Sequence, residues 1–290
     1  MSRKHLLIAI LCNTIWGFAS IYWHMLSYMS AMFILCSRVV FAAIVALIIV
    51  YFQKNFALLK STFKDWNKIK YLIPASVMIS FNWGLYIWAM GHGHMLDTSL
   101  GYYMAPLIVF AISIVVFKEK SSGLKLTAIF IALTGVLISL VMYKTVPVIG
   151  LALALSFTIY GTIKKQIKLD PAVSICIESI LLSPIAIGMI FFTMKSDVQT
   201  LVPFEVLLLL GTGILTAVPL TLYASAVNNL PYIAVGFTQY ISPTITLFVG
   251  LFYGEVFTPE KLVLLGFVLP SITIYSVAVI IEGRKLKEKN

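Results

Sequence analysis

Apolar runs of about twenty residues recur along the whole chain, and short polar stretches rich in lysine, glycine, proline or aspartate close them. A helix that crosses a hydrocarbon core needs roughly 20 such residues. The pattern predicts ten spans, at 5–26, 30–52, 69–91, 97–117, 124–143, 147–164, 171–194, 204–228, 231–253 and 258–281. Segments this long read as helices rather than barrel strands, because a lone segment in lipid must satisfy its own backbone hydrogen bonds. The first run exceeds the apolar part of a secretory signal, and "FASIYWHML" puts bulky aromatics where a cleavage site wants small residues, so it is kept as a span. The longest connection, "QKNFALLKSTFKDWNK" from Gln53, is too short to bury a core and has the pattern of an amphipathic interfacial helix.

Composition agrees with this pattern. Hydrophobic residues make up 60% of the 290 and charged residues 11%, with mean hydropathy +1.00, which is too apolar for a soluble surface. The expected fold is an all-α polytopic membrane protein. Lysine and arginine, counted by side, orient it. With the N-terminus cytoplasmic, that side collects Arg3, Lys4, the lysines at 54, 60, 64, 68 and 70, those at 118, 120 and 125, those at 164, 165 and 168, and the basic tail over 282–290. The far side keeps Lys144, Lys195 and Lys261. Both termini are therefore expected inside a bacterial-type cytoplasmic (inner) membrane. The net charge of +10 then belongs to cytoplasmic loops that can touch anionic lipid, and calls for no nucleic acid. Cys12, Cys36 and Cys176 lie inside spans without CxxC spacing and read as small packing residues.

A repeat decides the predicted architecture. Shifted by 137 positions, "LYIWAMGHGHMLDTSLGYYMAP" lies on "LYASAVNNLPYIAVGFTQYISP", so that Tyr86, Tyr103 and Pro106 meet Tyr223, Tyr240 and Pro243. Nearby offsets bring "CNTIWG" from Cys12 onto "SFTIYG" from Ser156, and Glu119 and Lys125 onto Glu255 and Lys261. Five spans per copy force the second copy to start from the opposite side. The expectation is two inverted five-helix repeats, 1–143 and 147–281, around a site near the bilayer midplane.

Three long stretches also carry a family resemblance: "FNWGLYIWAMGHGHMLDTSLGYYMAPL", "GLALALSFTIYG", and "LPYIAVGFTQYISPTITLFVGLFYGEVFTPEKL". The sequence resembles the RarD-type permeases of the EamA group, within the drug/metabolite transporter superfamily. That resemblance implies ten helices in inverted repeats, a central cavity and secondary transport of a small organic solute, without naming the solute. Ser20, His24 and Ser37 depart from the proline, lysine and histidine that the resemblance leads one to expect.

Candidate chemistry falls in three groups. His92 and His94 in "GHGHMLD" do not share a helix face, and zinc would want more ligands than Asp97 adds, so no metal is expected. A tight polar turn is the favoured reading, with outer gating or proton sensing as the other. Arg38 and Glu178 are lone charges inside apolar spans, 140 positions apart, and read either as a scaffold ion pair or as charges for gating and coupling. Trp16, Asn82, Trp83, Tyr86, Tyr102, Tyr103, Tyr223, Gln239 and Tyr240 could wall a cavity suited to amphipathic or cationic solutes by stacking and cation–π attraction, or serve as interface anchors and packing. Asn82 shares a face with Tyr86, and Gln239 shares one with Ser242 and Thr246. Pro106 and Pro243 are expected to kink their helices.

No HExxH, GxSxG or Walker-type loop is present, so neither an enzyme nor a nucleotide-driven pump is expected, and no cofactor. The function expected is a permease working by alternating access, as an exporter or exchanger driven by a proton or counter-solute gradient. Import of an amino-acid-like metabolite, and a passive channel or structural role, are the alternatives.

Overall fold

The structure is a computed structural model that describes residues 3–92, 94–144, 146–199, 201–254 and 258–288; the side chains at 90, 91, 95–97, 99, 195, 196 and 283–288 fall outside that description. Gly93 and Glu255, both used in the sequence reading, lie outside the described residues, as does the side chain of Asp97. Every described element is a helix. In order they are α1 (Arg3–Met25), α2 (Ala31–Phe52), α3 (Phe56–Lys64), α4 (Trp66–Gly91), α5 (Met95–Val115), α6 (Gly123–Tyr143), α7 (Val148–Ile167), α8 (Pro171–Thr193), α9 (Lys195–Gln199), α10 (Pro203–Asn229), α11 (Tyr232–Gln239), α12 (Ile241–Phe252) and α13 (Pro259–Glu288). Among the described residues, nine stretches are long and apolar enough to cross a membrane, with α11 and α12 counted as one; the Leu100–Val115 part of α5 is apolar but shorter.

Helix ends follow local chemistry. Asp65 caps α4 by accepting from Asn67 N (3.1 Å), and Asp170 caps α8 by accepting from Val173 N (3.0 Å) with Pro171 in the first turn. Lys54, Lys118, Lys144 and Lys168, at or just beyond the ends of α2, α5, α6 and α7, sit in the left-handed backbone region, and each brings a cation to the negative end of a helix. The connection read as interfacial forms α3, which buries Leu59 and Thr62 and leaves Leu58 and Phe63 exposed.

The packing has a regular form. α6 lies on α13, α2 lies on both α8 and α10, α7 lies on α4 and α5, and α1 lies on α10 and α12. Close approach at the α5–α7 contact depends on two glycines. A Cβ at Gly101 would stand 2.7 Å from Gly150 Cα, far inside van der Waals contact, and its neighbours there are backbone that cannot move aside. Gly101→Val should therefore separate α5 from α7 and abolish the monodisperse, cooperatively melting protein in detergent. Gly188→Ala, where a Cβ meets nothing within 4 Å, should melt at the wild-type temperature or above, since alanine favours a helix over glycine by up to about 1 kcal/mol.

Candidate functional site

A cavity of about 210 Å³ opens between α1, α2, α4, α5, α7, the end of α11, α12 and the start of α13. That is smaller than the roughly 300–1,000 Å³ of drug-sized sites, and suits a metabolite-sized solute. The tryptophans Trp16, Trp23 and Trp83, with Tyr86, Tyr102 and Phe157, give its aromatic wall; Asn13, Ser20, Arg38, Asn82, Thr98, Gln239, Ser242 and Thr246 give its polar groups, with Lys261 beside them. On α1 the lining residues recur at spacings of 3, 4 and 3 (Asn13, Trp16, Ser20, Trp23), which is one face of a helix.

Arg38 is the dominant charge. Its side chain is buried, its Nε donates to Thr216 Oγ1 of α10 at 2.9 Å, and its guanidinium carbon lies 4.0 Å from the Trp83 ring centroid and 4.8 Å from that of Trp23. Cation–π attraction and one neutral hydroxyl thus compensate its desolvation, and no described carboxylate does. Asn82 spends both amide protons on α7, donating to Leu153 O (2.8 Å) and Ser156 Oγ (3.0 Å). Gln239 Nε2 donates to Tyr223 Oη (3.3 Å), while its Oε1 is buried without a partner.

Three expected wall residues lie elsewhere. Tyr103 is neighbour to Tyr102 on α5, and adjacent positions on a helix point about 100° apart, so Tyr103 turns into the core beside Tyr240, ring centroids 6.2 Å apart. Tyr240 is held there against Phe237. Tyr223 forms a layer behind the cavity, 5.6 Å from Trp16 and 5.3 Å from Phe157 by ring centroids. The two prolines stand in different settings. Pro106 sits within the unbroken α5; Pro243 stands in the first turn of α12, just after the break at Tyr240, and lines the cavity. His92 and His94 make the α4–α5 connection and stack on Trp88 at 4.6 and 5.6 Å, away from the cavity wall.

Glu178 does not pair with Arg38. It takes Lys164 Nζ at 2.6 Å and Tyr160 Oη at 3.1 Å, and Lys164 also donates to Ser174 Oγ at 2.5 Å. Both charged side chains are 4% exposed. The sequence reading put Lys164 in a solvated loop; the structure buries it in the last turn of α7. Lys164 and Lys165 are consecutive and point about 100° apart, so Lys164 turns to Glu178 and Lys165 to the end of α10.

The two groups lie at opposite ends of the bundle. Cavity residues cluster toward the α1–α2, α4–α5 and α12–α13 connections, where His24 stacks on Tyr253 at 4.0 Å. The other end is laced shut. Glu119 accepts from the Tyr232 and Ile233 amides at 2.6 and 3.0 Å, at the first turn of α11; Lys165 donates to Val227 O (3.0 Å) and to Leu230 O, closing the last carbonyls of α10. Asn228 Nδ2 reaches Leu169 O at 2.7 Å, and Asn55 Nδ2 reaches Asp170 Oδ2 at 3.3 Å.

The pattern of the EamA-like transporter family matches residues 3–141. Among curated proteins, the chain is 37% identical to uncharacterized transporter YojE of Bacillus subtilis (strain 168), over 90% of this chain and 89% of that one. It is 31% identical to protein RarD of Escherichia coli (strain K12), over 98% and 97%, and 30% identical to uncharacterized transporter PA0485 of Pseudomonas aeruginosa, over 94% and 93%. A solved crystal structure that shares 13% identity superposes with a TM-score of 0.72, covering 96% of this chain and 99% of that one, which supports the fold alone. With its apolar helices and these relatives, the chain belongs to the EamA-like transporter family, as a RarD-like multi-pass permease of the bacterial inner membrane.

Proposed function

We propose that the protein is a secondary carrier of a small organic solute, working by alternating access, with its cavity here facing outward. Residues 1–143 and 147–281 act as the two inverted halves, both termini lie in the cytoplasm, and 282–290 is a basic cytoplasmic tail. Helix packing supports the repeat, because the most extensive contacts have mates when the halves are exchanged: α2 on α10 with α8 on α4, α5 on α7 with α12 on α1, α4 on α7 with α10 on α1. The contacts of α6 with α13 and of α2 with α8 map onto themselves.

The observation that carries this reading is that matched positions of the repeat do opposite things at the two ends. The offsets found in the sequence pair Trp16 with Tyr160, Ser20 with Lys164, Arg38 with Glu178 and Tyr86 with Tyr223. The first of each pair lines the open cavity. The second set is collapsed: Tyr160 stacks on Tyr223 at 6.2 Å, and both Tyr160 and Lys164 bond Glu178. One template open and its inverted copy closed is what a carrier needs in each of its two states. A passive pore would want both ends open. Transport as an exporter or exchanger, drawing on a proton or counter-solute gradient, is the direction this reading takes.

Counterflow tests it. Proteoliposomes loaded with a transported solute should take up labelled solute faster than empty ones, and uptake that is neither saturable nor accelerated would leave a channel. Cysteines placed near His94 should react with impermeant reagent in intact cells, and those near Lys64 should not; labelling at Lys64 would reverse the orientation.

The Lys164–Glu178 pair makes a second prediction. Removing one partner from a buried pair strands a charge at a cost of roughly 3–5 kcal/mol, so Glu178→Gln should lower the melting temperature in detergent and expose a cysteine near Ser174 to reagent from the cytoplasmic side. Replacing both with methionine should recover the melting temperature, because an apolar pair of similar volume carries no such penalty. The double variant should still bind solute and lose counterflow, as its inner end no longer hydrates. Wild-type counterflow from the double variant would show the pair to be scaffold alone.

A further inference from the structure

Resting on the carrier reading above, the geometry points to a solute class: we infer that the cavity binds an organic anion, a small carboxylate with a flat apolar body, with Arg38 receiving the carboxylate. A guanidinium has five N–H donors in a planar fork. Arg38 uses one of them, Nε, on Thr216, and its two Nη groups make no hydrogen bond to a described residue although Arg38 lines the cavity. Trp23 and Trp83 hold the group by their ring faces, which leaves its hydrogen-bonding edge for a ligand. That edge matches a carboxylate in a two-point contact, stronger than a neutral hydrogen bond.

The rest of the wall agrees. Among the described lining residues there is no carboxylate to neutralise an ammonium, while Asn13, Ser20, Thr98, Ser242 and Thr246 are neutral. Gln239 adds a neutral amide to the wall, donating from Nε2 to Tyr223 Oη, while its buried oxygen makes no hydrogen bond to a described residue. Trp16, Tyr86, Tyr102 and Phe157 then supply flat apolar faces for the body of the solute. Aromatic walls alone would suit a cation equally well, and the sequence pattern is open to amphipathic or cationic solutes. Here the nearest ring faces already carry a cation of the protein's own, which repels a second one.

Two measurements test the sign of the site on the full-length protein. The chain has five tryptophans, and Trp66 and Trp88 are exposed away from the cavity while the other three line it. In the Trp66→Phe, Trp88→Phe protein, iodide should quench the remaining fluorescence with a constant about threefold or more above that of caesium, because a site of one sign concentrates counter-ions. Arg38→Gln should reduce the difference about twofold or more, Lys261 remaining at the cavity. Equal quenching, or stronger quenching by caesium, overturns the anion site without needing the Arg38 variant to fold.

The second measurement is a melting-temperature series on wild-type protein with matched sets of aromatic and aliphatic acids, their amides and their amines. Acids should raise the melting temperature, their amides and amines should not, and Arg38→Gln should weaken the acids about tenfold or more, with Arg38→Lys recovering part of it. Stabilisation by amines, equal stabilisation of wild type and Arg38→Gln, or no stabilisation by any acid in the series overturns the inference. Counterflow separates this from the carrier reading. Acids that bind but show no counterflow remove the carrier and keep the anion site, whereas counterflow of amines alone keeps the carrier and removes the anion site.

Discussion

A charged group inside a hydrocarbon layer must find a partner or keep water beside it, and the interior of this bundle is arranged around that requirement. Lys164 and Glu178 meet it by pairing at 2.6 Å, with Ser174 and Tyr160 completing the set. The group is neutral as a whole, so helices can close over it. Arg38 meets the requirement differently, through two indole faces and one hydroxyl, and it remains a net cation. Helices cannot close over an uncompensated cation at comparable cost. Which end is open and which is sealed therefore follows from which buried charges cancel.

If 1–143 and 147–281 are the two inverted halves proposed above, the same requirement explains why they need not behave alike. If Ser20 and Lys164 are matched positions, one exchange of a hydroxyl for an ammonium gives the second half an internal counter-ion for its carboxylate, and the first half has none for its guanidinium. A chain with two identical halves would place its two states at equal free energy. Local differences of this kind set which state is favoured in the absence of solute, and a solute shifts the balance only by the difference in its affinity for the two.

Much of the fold was legible because lipid leaves the sequence few options. The long apolar runs and the interfacial pattern after Gln53, which forms α3, follow from local rules. α5 was harder, since its apolar part from Leu100 is short and its first turn is polar. The site was legible in part. Asn82, Gln239 and Arg38 stood out as polar groups within apolar runs, and all three reach the cavity. Tyr103, Tyr223 and Tyr240 are of the same residue types as true wall residues, and only the rotation of each helix in the packed bundle separates them. Periodicity could have supplied more than it did: Asn13, Trp16, Ser20 and Trp23 share one face of α1. The partner of Glu178 was hidden by proximity to a helix end, where a lysine ordinarily belongs to the loop.

If the protein is the alternating-access carrier proposed, with this cavity outward, and its solute is an anion, the unequal compensation of the two ends also bears on coupling. Empty, the cavity holds a guanidinium that resists enclosure, so the outward-open state is favoured and the outer end stays hydrated. A carboxylate bound at Arg38 neutralises it, and the outer helices can then close while Lys164 and Glu178 take up water at the inner end. The return step faces the same barrier whenever the carrier is empty. A second anion lowers it in the same way as the first, so exchange of one anion for another runs faster than net movement of either, and the chemistry of one buried arginine is enough to make the carrier prefer exchange.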